Sequence, residues 1–252
     1  MPGIIRRIPA GVISTIIALL IWQLIGSFGP LAGDSFATAS EAIAGLASLL
    51  IDSTFWAATA QTIQMAVIGF VISIVVAVPL GLLIGLSRFS YRSTKFTFDF
   101  FKVIPPIVII PIAILAIGPN ITMGVVLVIF ANVFAVAIQT AYGVRDTDPV
   151  LLETMRCYRF GILQQLLYAR LPSASAQIAV AIRLAASAAL IVAVVAGLVG
   201  GAPGLGNLLM RLQSGGQVDR TYGVLLALGI LGILMSRLIV RGQRRIVFWS
   251  GR

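Results

Sequence analysis

The sequence predicts an all-α polytopic membrane protein of six transmembrane helices. Three observations carry that expectation: an apolar composition, long uncharged intervals, and basic residues placed in the gaps between those intervals. Of 252 residues, 59% are hydrophobic and 10% charged, and the mean hydropathy is +1.06. A soluble domain of this length has no interior large enough for so much apolar surface. The 25 glycines and 11 prolines fall partly inside the apolar runs, which helices in a bilayer tolerate. A single cysteine excludes an internal disulfide framework, and the absence of histidine removes the commonest metal ligand and general base. Metal-dependent and hydrolytic chemistry have little to work with. The net charge of +10 is spread between apolar stretches, so it does not point to nucleic acid.

The spans follow from the uncharged intervals, since a crossing helix needs roughly 20 apolar residues. Span one is Ile8 to Phe28; no small-residue cleavage site follows it closely, so it reads as a helix rather than a cleaved signal. Asp52 and Arg88 enclose 35 uncharged residues ending in the dense run Met65 to Leu86, which is span two. Lys102 and Arg145 enclose 42 more, divided by the turn residues Gly118, Pro119 and Asn120 into a short span three (Val103 to Ile117) and span four (Ile121 to Tyr142). Span five runs from Leu184 to about Val199. Span six runs from Tyr222 to Val240, with Arg237 able to snorkel.

Six spans place both termini on one side. A cytoplasmic N-terminus then puts sixteen basic residues inside, from Arg6 and Arg7 through the groups at 88–102, 145–183 and 237–252, against Arg211 and Arg220 outside. The positive-inside rule favours that orientation. The chain is expected in a bacterial cytoplasmic (inner) membrane, its bilayer the first partner. The first outside segment, Gly29 to Gln61, holds Asp34, Glu41 and Asp52. Ala42, Ile43, Leu46, Leu49 and Leu50 recur in it at helical spacing, as in an amphipathic helix along the interface. No tandem repeat or low-complexity linker divides the chain, so residues 1–252 read as one domain.

The segment Gly143 to Ala176 is too long for a plain connection. Asp148 and Pro149 form an N-cap and first-turn pair opening a helix to about Tyr158. Gly161 permits a bend, and Ile162, Leu163, Leu166 and Leu167 form an apolar stripe before Pro172 closes the segment. A helix, bend and helix outside the membrane has a surface to offer a partner.

The stretch ETMRCYRFGILQQLLYARLP, Glu153 to Pro172, resembles the cytoplasmic EAA loop of binding-protein-dependent ABC importer permeases. VPLGLLIGLSR (Val78 to Arg88), KVIPPIVIIPIAILAIG (Lys102 to Gly118), DPVLLE (Asp148 to Glu153) and GGAPGLGNLL (Gly200 to Leu209) are similar to the nitrate, taurine and alkanesulfonate permease branch, and the likeness covers about residues 62–240. The resemblance implies the type I importer permease fold and a coupling loop at 143–176 that docks into an ABC ATPase subunit. It also implies an extracytoplasmic solute-binding protein and a second permease chain, identical or different. Asp148, Pro149, Glu153, Cys157, Arg159 and Gly161 are then the coupling residues. No cofactor is expected in this chain; ATP and Mg belong to the partner ATPase. The sequence departs from the pattern where Thr154 and Met155 replace two alanines, Arg159 replaces a glycine that reappears at Gly161, and Gly197 stands where the branch carries a glutamate.

Uncompensated polar side chains in lipid are costly and face the bundle or a wet cavity. Gln61, Gln64, Asn132, Gln139 and Ser187 are therefore candidates for the translocation path of a small polar or anionic solute, with interhelical hydrogen bonding as the other reading. Pro79, Pro105, Pro106 and Pro111 interrupt helix bonding in spans two and three. The glycines from Gly200 to Gly206 are expected in an outer loop or re-entrant turn. No Lys-Ser/Thr pair follows them as a phosphate loop requires, so nucleotide binding is not expected here. A secondary transporter or channel is the alternative class, but it should carry intramembrane ionisable residues, and spans one to four have none. A membrane enzyme would need a catalytic cluster that the spans lack.

Overall fold

The computed structural model describes residues 10–28 and 36–246; Arg6, Arg7, Asp34 and Arg252, which entered the reading of charge, lie outside them. Two compact units divide the chain, residues 1–56 with 208–229 and residues 57–207 with 230–252.

In the first unit, α1 (Ala10–Phe28) is a 19-residue apolar helix. The helix expected in the segment after span one forms as α2 (Ala39–Leu49), opened by a capping box in which the Thr38 hydroxyl accepts from the Glu41 amide while the Glu41 carboxylate accepts from the Thr38 amide. Trp22 donates to the Ala37 carbonyl at 3.0 Å, and its ring lies 6.0 Å from that of Tyr222. A Cβ on Gly45 would strike the Asp219 backbone, so only glycine lets α2 lie this close to α11 (Val218–Ile246). Asp52 closes the corner, accepting from the Thr54 amide and hydroxyl and from Arg220 at 3.1 Å.

The second unit is built on α3 (Ser53–Leu86), α6 (Ile121–Arg145) and α9 (Leu171–Leu198). Its core joins Met65, Met123, Leu127 and Val128 to buried alanines on α9, Ala189, Ala193 and Ala196. Lipid gives no hydrophobic drive between helices, so small residues that let backbones approach take over that role. Asn120 caps α6, accepting from the Met123 amide at 3.0 Å, and Gly118 turns at φ +82°, as the Gly-Pro-Asn reading expects.

Among the described residues four helices are long and apolar enough to cross a membrane: α3, α6, α11 and the continuous helix at 162–198. They carry expected spans two, four, six and five. Span three is different. Its helix α5 (Pro106–Ile117) has 12 residues, about 18 Å, against a hydrocarbon core of about 30 Å. It meets α4 (Arg88–Val103) at a bend of 85°. Pro105 and Pro106 make that break, because a proline excludes the helical region from the residue before it and supplies no N–H. Counting the bent pair gives five candidate spans, with α1 a shorter apolar helix beside them, so helix length alone does not yield six.

Span five begins far earlier than Leu184. Pro172 does not close the loop; it lies in the first turn of α9, which continues from α8 (Ile162–Gln165) through one π-helical turn, Leu166–Arg170. There the Leu171 amide reaches back five residues to the Leu166 carbonyl, a slip that accommodates the proline's missing donor. The 37-residue helix is about 55 Å long, well beyond the roughly 30 Å that the hydrocarbon core requires.

Candidate functional site

Asp148 caps α7 (Pro149–Cys157) as its sequence foretells, Oδ1 accepting from the Val150 amide at 2.8 Å, with Pro149 in the first turn. Met155 is buried and anchors the helix, whereas Glu153 and Cys157 are exposed. The bend after α7 is made by Arg159, not by Gly161. Arg159 holds φ +60°, and the amides of Arg159 and Phe160 donate to the carbonyls of Arg156 and Met155, both at 2.9 Å, completing a Schellman cap. Gly161 has an ordinary φ of −67° and serves as the N-cap of α8, its amide donating to Gln164 Oε1 at 2.8 Å. The displaced glycine therefore does not replace the missing one: the arginine itself takes the left-handed position.

The apolar stripe of the second helix faces outward. Gln165 and Ala169 are buried, while Ile162, Leu163 and Leu167 are exposed, Ile162 at 75%. Val150, Leu151 and Tyr158 are exposed as well, so both helices of this helix–bend–helix unit carry large exposed apolar side chains. Large exposed apolar patches of this kind mark interaction surfaces.

The five polar candidates of the spans separate. Asn132 and Gln139 line one cavity of about 290 Å³ between α6 and α9, together with Lys102 and Tyr142. Asn132 is 2% exposed, and its Nδ2 has no hydrogen-bond partner, an arrangement whose cost an incoming acceptor would remove. Gln139 makes the interhelical bond foreseen as its other reading, Nε2 donating to Gln177 Oε1 at 2.8 Å. Gln61 is half-buried and Gln64 exposed on α3, and Ser187 is exposed on α9, its hydroxyl 3.4 Å from the Arg183 carbonyl. None of these three lines the cavity.

Sequence reasoning missed Lys102 as a lining group, having treated it as a topology marker, and gave Gln177, between the loop and span five, no role. It also missed Thr62, fully buried on α3, which accepts from the Leu205 amide at 2.8 Å and so caps α10 (Leu205–Ser214). Gly200 to Gly204 form a loop, whereas Gly206, expected in the same loop, lies in α10. At Gly197 a Cβ would meet the Asn207 amide at 3.0 Å and the Ala202 carbonyl at 3.1 Å, so the branch's glutamate has no room in this arrangement.

Residues 77–248 match the family described as binding-protein-dependent transport system inner membrane component. A permease protein of Bacillus subtilis (strain 168), named for aliphatic sulfonates transport, is 24% identical over 95% of this chain and 87% of its own. The nitrate import permease protein NrtB of Leptolyngbya laminosa is 22% identical over 93% and 86%. In fold, the chain is similar to the MetNI methionine ABC transporter in inward-facing conformations, with a TM-score of 0.66 at 19% identity over 79% of this chain and 96% of that one. The chain thus belongs to the inner-membrane permeases of binding-protein-dependent ABC importers, in the branch of the nitrate and sulfonate permeases.

Proposed function

We propose that this permease forms, with a second permease chain, the path for a small polar or anionic solute handed over by an extracytoplasmic binding protein, and that α7 and α8 couple it to ATPase subunits which bind ATP and Mg. The exposed apolar face of the α7–α8 unit carries this reading, since Val150, Tyr158, Ile162 and Leu163 would be costly to leave in water without a partner. Asp148, Pro149 and Glu153 keep α7 short and rigid, and Arg159 and Gly161 set the angle at which α8 follows, so that a push on α7 moves α9 rather than dissipating in coil. The charge asymmetry supports six spans with both termini cytoplasmic.

Within the bundle, Asn132 Nδ2 would donate to a solute oxygen, with Gln139 beside it in the same cavity. Gln61, Gln64 and Ser187 then belong to the surface shared with the second permease. The test is the complex. The chain should copurify with an ATP-hydrolysing subunit, and Val150→Asp with Tyr158→Asp should cut that recovery roughly tenfold by placing charge in an apolar contact. ATP turnover by the isolated chain, or unchanged recovery of the ATPase with the double variant, contradicts the reading.

A further inference from the structure

A second cavity, of about 400 Å³, opens where α3, α6 and α7 meet α4 and the π turn. Four arginines line it from four different segments. Arg88 begins α4, Arg145 ends α6, Arg156 is on α7 and Arg170 ends the π turn. Glu153 is the one acidic side chain among the lining residues. Among the described residues none of the four guanidinium groups lies within ion-pair distance of a carboxylate, and Arg145 is held instead over the Tyr91 ring at 4.3 Å. Four like charges gathered in one polar pocket, one of them half-buried, repel one another unless an anion joins them.

We propose that this pocket holds the phosphate of an anionic lipid headgroup. Arginine forks match phosphate oxygens, and Leu86, which ends α3, and Arg145, which ends α6, both line the pocket, so it lies at the ends of two apolar spans, where a lipid headgroup would sit. Phe89, next to Arg88, is 80% exposed and offers apolar surface for the acyl chains. The bound phosphate ties α7 to the ends of α4 and α6, so the lipid sets how stiffly the α7–α8 unit is attached to the bundle. The site rests on the cavity and its charges, not on the transport reading.

The test is native mass spectrometry of the full chain released from bilayers of equal parts phosphatidylglycerol and phosphatidylcholine. The wild type should retain phosphatidylglycerol with a roughly tenfold preference, Arg156→Gln with Arg170→Gln should bring the preference to about unity, and Arg170→Lys should keep it. Arg88→Gln, an exposed substitution, gives an intermediate loss and serves if the double variant does not fold. No preference in the wild type, or the same preference in the glutamine variants, overturns the proposal. So does an arginine-dependent rise of the thermal midpoint with inorganic phosphate while no lipid is retained, which assigns the pocket to free phosphate. Loss of ATPase binding with lipid retention unchanged assigns the arginines to a protein carboxylate and overturns it equally.

Discussion

At Arg159 a side chain occupies a backbone position that glycine fills more cheaply. The left-handed region costs a non-glycine residue about 1–2 kcal/mol, because Cβ crowds the following carbonyl. Arg159→Gly should therefore stabilise the purified permease by about 1 kcal/mol, read as a higher thermal midpoint, whereas Gly161→Ala should leave it within about 0.5 kcal/mol. A Cβ on Gly161 would meet only Gln164 Oε1 at 3.8 Å, an ordinary contact, and its φ is not left-handed. The family resemblance implied that a glycine was displaced; which of the two residues turns the chain depends on a dihedral angle that no motif encodes. A second residue-scale consequence concerns Asp52, whose hydrogen bonds from Thr54, with Arg220 nearby, hold its carboxyl below the ordinary 3.8. A lowered carboxylate contributes stability that is fully present above its unfolded value and is lost as pH falls through the folded one. The wild type's thermal midpoint should thus be insensitive to this group from neutrality down to about pH 4 and fall below it. Asp52→Asn should show a smaller acid-induced fall.

Among the elements, the long helices were legible because uninterrupted apolar runs and the turn residues Gly118 and Asn120 mark them locally. Helix α4 was not read as a helix, although Arg88, Arg92, Lys95, Asp99 and Lys102 recur at alternating spacings of four and three, a polar stripe on one face. Beside that stripe, Phe98 and Phe101 pack against Phe130 and Phe134 of α6. Proline was over-read at 172, where a register slip absorbs it, and under-read at 105 and 106, where it turns the chain by 85°. The α10 cap was invisible because Thr62 and Leu205 are 143 residues apart. Thr62→Val should remove that acceptor and leave the buried Leu205 amide unpaired, lowering stability by about 1–3 kcal/mol in thermal or denaturant unfolding of the permease.

For the whole molecule, family and branch were legible because motifs in their proper order survive many substitutions, while the grouping of polar side chains was not. Asn132 and Gln139 share a cavity because they are seven residues apart on α6, two helical turns along one face. Gln61, Gln64 and Ser187 satisfied the same composition rule without meeting them, since which face a residue occupies depends on neighbours that the sequence does not name. The outer face of α7 is the proposed docking surface for an ATPase, and Cys157, exposed on that helix, reports on it directly. In inside-out vesicles carrying the assembled complex, a membrane-impermeant maleimide should label Cys157 only after the ATPase has been stripped away. Equal and rapid labelling with the ATPase present and absent would contradict the claim.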